Sequence, residues 1–196
     1  MENKNNFAYQ FLQFLKDFKN SSSSKSVVWS PTPQASLRNN GLTAAIIGYN
    51  SSVRASQGKK SGKWYWEITL EKAYGNMIGI IDNHHISRSC YYDGKIYLGH
   101  TQNNSRCVIG NTDIIYDSGD IIGLALNLEL GYLQFYKNGV RFLGRIRNLP
   151  RNNTKYFPCI LSNANSPNYP VATANFGNSP FFYKIPENYR PYSLYR

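Results

Sequence analysis

Between Asp117 and Gly139 the chain reads Asp-Ser-Gly-Asp-Ile-Ile-Gly-Leu-Ala-Leu-Asn-Leu-Glu-Leu-Gly-Tyr-Leu-Gln-Phe-Tyr-Lys-Asn-Gly. A polar turn feeds an apolar run from Ile121 to Leu128. A second turn at Glu129-Leu130-Gly131 leads into Tyr132–Tyr136, and a third stands at Asn138-Gly139. Asn-Gly accepts positive φ at both central positions of a tight hairpin, and the resulting twist matches that of the flanking strands. Leu133 and Phe135 point one way while Tyr132, Gln134 and Tyr136 point the other, the period of two of a half-buried strand. An antiparallel meander satisfies all of these constraints.

The rest of the chain is read around it. In residues 1–20, Phe7, Phe11, Phe14, Leu15 and Phe18 fall on one stripe of a helix, and Asn6 stands where a cap belongs. That stripe has to dock, either on its own domain, in a groove of another protein, or on a membrane surface. Residues 21–26 form a Ser-rich linker. From residue 27 onward no helical period recurs, and short strands alternate with turns, which predicts a sandwich or barrel. Trp64, Trp66, Ile68 and Leu70 alternate with Tyr65, Glu67 and Thr69, so both tryptophans are expected in the core. Met77–Ile81 reads as a buried strand and Tyr156–Leu161 and Val171–Phe176 as two more. Asn50–Gly58 reads as a polar loop and 141–153 as a basic surface connection. Pro180–Arg196 reads as an extended segment along the sheet.

The run Gly119–Gly139 resembles the core of the SPRY domain family, with its Gly-Asp-hydrophobic-hydrophobic-Gly strand and Phe-Tyr-Lys-Asn-Gly hairpin. Ser61-Gly-Lys-Trp-Tyr-Trp-Glu-Ile-Thr-Leu70, Tyr156-Phe-Pro-Cys-Ile160 and Ala174-Asn-Phe-Gly-Asn-Ser-Pro-Phe181 resemble further family motifs in the same order, and the likeness spans roughly residues 27 to 190. The resemblance implies an all-β fold over residues 27–196, a bent antiparallel β-sandwich or concanavalin-like jelly roll; no match to the PRY extension is seen, and the short amphipathic helix read from the phenylalanine stripe precedes the domain. It also implies a protein-interaction module that reads a peptide or folded partner through loops at one end of the sandwich. On this chain those loops are 48–60, 82–95 and 162–170, with Tyr49, Arg54, Tyr91, Tyr92, Asn163 and Tyr169 as candidate contacts, residue types that dominate binding hot spots.

Hydrophobic residues make up 41% of the chain and aromatics 15%, which excludes disorder, while a formal net charge of +11 allows attraction to an acidic partner or nucleic acid. The densest basic groups are Lys59-Lys60 with Lys63, and Arg141, Arg145, Arg147 and Arg151, the second of which could form a stripe. Cys90, Cys107 and Cys159 are odd in number and widely spaced, so neither a disulfide framework nor a zinc site is indicated. No signal-peptide pattern or membrane-length apolar run occurs, and the expected setting is intracellular or within an assembled particle.

No catalytic constellation emerges. His84, His85 and His100 lack a nucleophile elbow and a third metal ligand at suitable spacing. Glu67 and Glu71 share a strand face, as the paired carboxylates of some glycosidases do, but Thr69 stands between them and Glu67 belongs to the family pattern. No phosphate-cradling Gly-rich motif is present. The expectation is a non-enzymatic binding module without cofactor or metal, acting as an adaptor or assembly subunit. Nucleic-acid binding through the basic surface, a structural role on a particle such as a virion, and carbohydrate binding are the alternatives.

Overall fold

The computed structural model describes residues 26–49, 51–83, 96–99, 106–109, 112–162, 164 and 168–194. These form fourteen strands and, among the described residues, no helix: β1 Ala35–Arg38, β2 Thr43–Ile46, β3 Ser51–Arg54, β4 Lys63–Lys72, β5 Asn76–Asp82, β6 Ile96–Gly99, β7 Arg106–Ile109, β8 Thr112–Ile115, β9 Ile121–Asn127, β10 Tyr132–Lys137, β11 Val140–Ile146, β12 Tyr156–Ser162, β13 Val171–Asn175 and β14 Arg190–Pro191. The helix expected over residues 1–20, with Phe7, Phe11, Phe14, Leu15 and Phe18, lies outside the described residues.

The meander forms as expected. β9 pairs β10 antiparallel from Tyr132↔Asn127 to Lys137↔Ile122, and β10 pairs β11 through the Asn138-Gly139 turn. Both turn residues have positive φ, 48° and 80°, as a two-residue hairpin of this hand requires. Asp120 holds that turn in place. Its carboxylate accepts from Asn138 Nδ2 and pairs with Lys137 Nζ, each at 2.8 Å. Burial alone would raise the Asp120 pKa, but hydrogen bonds from Lys137, the Asp117 backbone and Asn138 hold it below the ordinary value.

The larger sheet runs β1-β2-β13-β4-β9-β10-β11, with β14 added beside β4, and the second runs β3-β12-β5-β6; β7 and β8 form a separate hairpin. Trp66, Ile68, Leu70, Ile122, Leu124, Leu126, Leu133 and Phe135 from the first sheet meet Val53, Ile78, Ile80 and Ile160 from the second in one core. Hydrophobic burial between two sheet faces thus closes the sandwich. Trp64 and Trp66 share this face as expected, joined by Trp29, Phe176 and Tyr192, and all five are buried.

Two parts of the chain depart from the expectation. Residues 50–58 contain a strand: Ser51–Arg54 pairs with β12, from Ser162↔Ser51 to Cys159↔Arg54, and buries Ser51 and Val53. The basic stretch after Gly139 is also a strand. β11 forms an edge whose outward arginines masked its period, and charged side chains are tolerated there because an edge strand has one unpaired, solvated side.

The opposite face of β4 is covered as well. Tyr65 and Glu67 are 1% exposed, because the C-terminal segment returns across them as the extended tail expected from sequence. Phe181 packs edge-on to Tyr65 at 5.1 Å, and Arg190–Pro191 pairs with Trp64–Tyr65 in parallel. Gly123, opposite Glu67, makes the close approach possible, since a Cβ there would lie 2.5 Å from Tyr65 Oη.

Burial raises the pKa of Tyr65, Tyr136, Tyr156 and Tyr189, the third to about 12. Below pH about 10 both folded and unfolded chains keep these protons, and their contribution is fully present. Above it the unfolded chain releases protons that the folded chain retains, so stability should fall between about pH 10 and about pH 12. Denaturation midpoints measured across that window, beside a tyrosinate absorbance titration, check this; a flat profile contradicts it.

Candidate partner-binding site

Strand register defines two ends of the sandwich. β2 ends at Ile46 and β3 begins at Ser51, β4 ends at Lys72 and β5 begins at Asn76, and β12 ends at Ser162 and β13 begins at Val171, all at one end. Tyr49 and Tyr169 lie here. Tyr49 is 52% exposed and its neighbour Ile47 48%, two large apolar side chains facing solvent on one turn. Pro170 O accepts from Ile46 N at 3.0 Å, which fastens the β12–β13 connection to the end of β2. Lys72 Nζ lies 5.2 Å from the Tyr169 ring centroid and holds that ring against the sheet. The sequence offered no periodicity that singled out Ile47, because its exposure follows from β2 ending one residue earlier.

Arg54 pairs with Cys159, halfway along β12, and its side chain reaches Phe157 toward the opposite end, here the Arg54 end. The 82–95 connection begins and ends at this end, where Tyr156 pairs with Asp82 and Ile96 with Ile80. The three segments expected to build one face therefore open at two ends. Tyr91, Tyr92 and Asn163, and with them His84, His85 and His100, lie outside the described residues.

At the Arg54 end the guanidinium carbon sits 4.7 Å above the Phe157 ring centroid. Arg54, Lys60, Asn83, Asn153, Lys155 and Phe157 line a cleft of about 370 Å³. Lys59, next to Lys60, is directed elsewhere: its ammonium lies 4.1 Å from the Trp64 ring centroid and donates to Leu194 O at 2.8 Å, and burial lowers its pKa to about 8.

Three of the four arginines of the expected basic stripe engage neighbouring groups. Arg141 Nε donates to Gln134 Oε1 at 3.2 Å, the Arg145 guanidinium covers Tyr132 at 4.6 Å, Arg151 donates to Glu129 O at 2.8 Å, and Arg147 is exposed. Tyr189 donates to Tyr132 at 3.0 Å. On Tyr132 burial is outweighed by that bond, with Asn127 and the Arg145 charge adding to it, so its pKa falls.

Both glutamates singled out in the sequence hold the fold. Glu67 Oε2 accepts from Phe182 N at 2.9 Å, and Oε1 accepts from Tyr183 N and Tyr65 Oη, each at 3.1 Å. Glu71 pairs with Arg38 and accepts from Thr173 Oγ1, which also bonds Thr43 Oγ1 at 2.6 Å, tying β1, β2, β13 and β4 together. Among the described residues no group of three His, Cys, Asp or Glu side chains is placed to hold a metal ion, and no helix is long and apolar enough to cross a membrane.

The SPRY domain family model matches residues 63–178, from the first residue of β4 to just beyond β13. The chain belongs to the SPRY domain family. Its fold is similar to the SPRY domain of human HERC1, with a TM-score of 0.55 at 15% identity, covering 74% of this chain and 94% of that one. It is also similar to the PSpry domain of TRIM65, with a TM-score of 0.53 at 14% identity, covering 82% and 94%. No curated protein sequence matches it. SPRY domains are generally non-catalytic modules of protein–protein interaction.

Proposed function

We propose that this SPRY domain binds a peptide or folded protein partner through the sandwich end that carries Ile47, Tyr49 and Tyr169, as a non-enzymatic adaptor or assembly subunit. The observation that carries this reading is the pair of exposed side chains Ile47 and Tyr49, mounted on a turn between the two sheets. A large apolar side chain held on a stiff scaffold gives contact area with little ordering cost, which is what a binding anchor needs. The Phe7, Phe11, Phe14, Leu15 and Phe18 stripe supplies a second anchor, a helix face seated in a groove of the same assembly.

Affinity capture from the native source, followed by binding measurements with the captured protein, tests the reading. The whole chain is compared with an Ile47→Ser/Tyr49→Ser form, a chain beginning at Val27, and a Phe11→Asp/Phe14→Asp form. Loss of the partner from the Ile47/Tyr49 form with its folding intact supports recognition by this end. Retention of the partner by that form and loss from the two N-terminal forms places recognition in the helix. Capture of nucleic acid alone, released by moderate salt, favours the basic surface instead.

A further inference from the structure

The cleft at the Arg54 end has an unusual chemistry for a protein surface: it presents hydrogen-bond donors and almost nothing that accepts. Arg54, Lys60 and Lys155 bring three cationic heads to one opening, and no carboxylate lines it among the described residues. The nearest carboxylate in β5, Asp82, is in register with Tyr156 and so lies on the other side of the sheet from Phe157. None of the three cations has an ion-pair partner among the described residues.

The two amides complete the pattern. Asn83 uses Oδ1 to accept from the Lys155 backbone N–H at 2.8 Å, and Asn153 uses Oδ1 to accept from Lys60 Nζ at 3.2 Å. Both acceptor oxygens are therefore engaged within the protein, which leaves the amide NH2 groups as the polar atoms available to a ligand. Arg54 is held in place beforehand. Its guanidinium stacks on Phe157 at 4.7 Å, and the Phe157 ring is itself backed by Gly58, where a Cβ would come within 2.6 Å of it. Stacking occupies the face of the guanidinium and leaves its in-plane N–H groups for paired contacts to an oxyanion.

We propose that this cleft is a binding site for a phosphate-type oxyanion. One carboxylate would neutralise only one of the three cations. A phosphate monoester carries about −1.5 to −2 charges near neutral pH and three strong acceptor oxygens, and donors from three separate segments can meet these together. The group can be carried by a phosphorylated side chain or by a small phosphorylated molecule, and the site is independent of the Tyr49 end.

The test uses the full chain, with nuclear magnetic resonance observation of side-chain N–H signals during titration with inorganic phosphate. The expected result is saturable shifts confined to Arg54, Asn83 and Asn153, with affinity reduced about tenfold or more in Arg54→Gln and in Lys155→Gln, and unchanged in Arg145→Gln. Each variant's backbone spectrum shows whether it has kept the fold. Shifts that spread equally over Arg141, Arg145 and Arg151, shifts indifferent to both cleft variants, or no saturable shift at all would each overturn the proposal. Parallel titrations with a phosphoserine peptide and with a nucleoside monophosphate separate the two carriers: tighter binding of either one through the same signals supports the site and names its source.

Discussion

Tyr192→Ala is expected to lower folding stability by about 3–5 kcal/mol, a large part of what a domain of this size possesses. Tyr192 has no exposure although it lies only four residues from the C-terminus. Its ring meets Trp66 at 5.2 Å, Phe176 at 5.9 Å and Trp64 at 6.3 Å, so truncation opens a cavity that touches both tryptophans. Its hydroxyl lies 3.0 Å from both Gln57 O and Tyr156 O and shares its one proton between these carbonyls, one in the connection after β3 and one at the start of β12. Tyr192→Phe keeps the ring and loses only this bond, for about 1 kcal/mol. Urea denaturation followed by tryptophan fluorescence distinguishes the two, because Trp29, Trp64 and Trp66 all report on this cluster. Equal losses in the two variants would mean that the hydroxyl, and not the packing, holds the tail.

Glu67→Ala is the second large effect, at about 2–4 kcal/mol, and it should act locally. Three donors converge on one carboxyl group that is 1% exposed: the backbone N–H groups of Phe182 and Tyr183 and the Tyr65 hydroxyl. Removing the acceptor strands all three unless the 181–183 segment lifts into water, so the predicted response is partial release of the tail from the outer face of β4. Limited proteolysis should then cut between Phe176 and Tyr192 well before the core opens. Glu71→Gln is the contrasting case. Glu71 pairs with an exposed Arg38, and its loss should cost less than about 1 kcal/mol. A tail equally resistant in wild type and Glu67→Ala would show that Phe181 and β14 suffice to hold it.

Much of this architecture is legible in the residues themselves. The Asn138-Gly139 turn needs positive φ, the Leu133/Phe135 alternation needs one buried face, and Trp64, Trp66, Ile68 and Leu70 define the core side of β4 without reference to any other strand. Those features depend on neighbours in the chain, and the motifs around them carry the SPRY resemblance. β3 and β11 were not legible. Ser51–Arg54 is short and polar, and only pairing with β12 makes it a strand. β11 lies at the sheet edge, where charged side chains are tolerated and the hydrophobic period fades.

The candidate sites divide along the same line. Residue types singled out Tyr49, Arg54 and Tyr169 individually, and neighbours along the chain suffice for the meander, the core face and the family motifs. Strand pairing across the second sheet set Tyr49 at one end of the sandwich and turned the Arg54 side chain toward the other, because β3 runs between them. The tertiary structure alone brought Arg54, Lys60, Asn83, Asn153 and Lys155 to one cleft. These residues come from three distant segments, β3 with the loop after it, the end of β5, and the approach to β12. Local pattern reports what each residue's own strand requires; convergence of charge is set by strand register across the second sheet, which no single segment encodes.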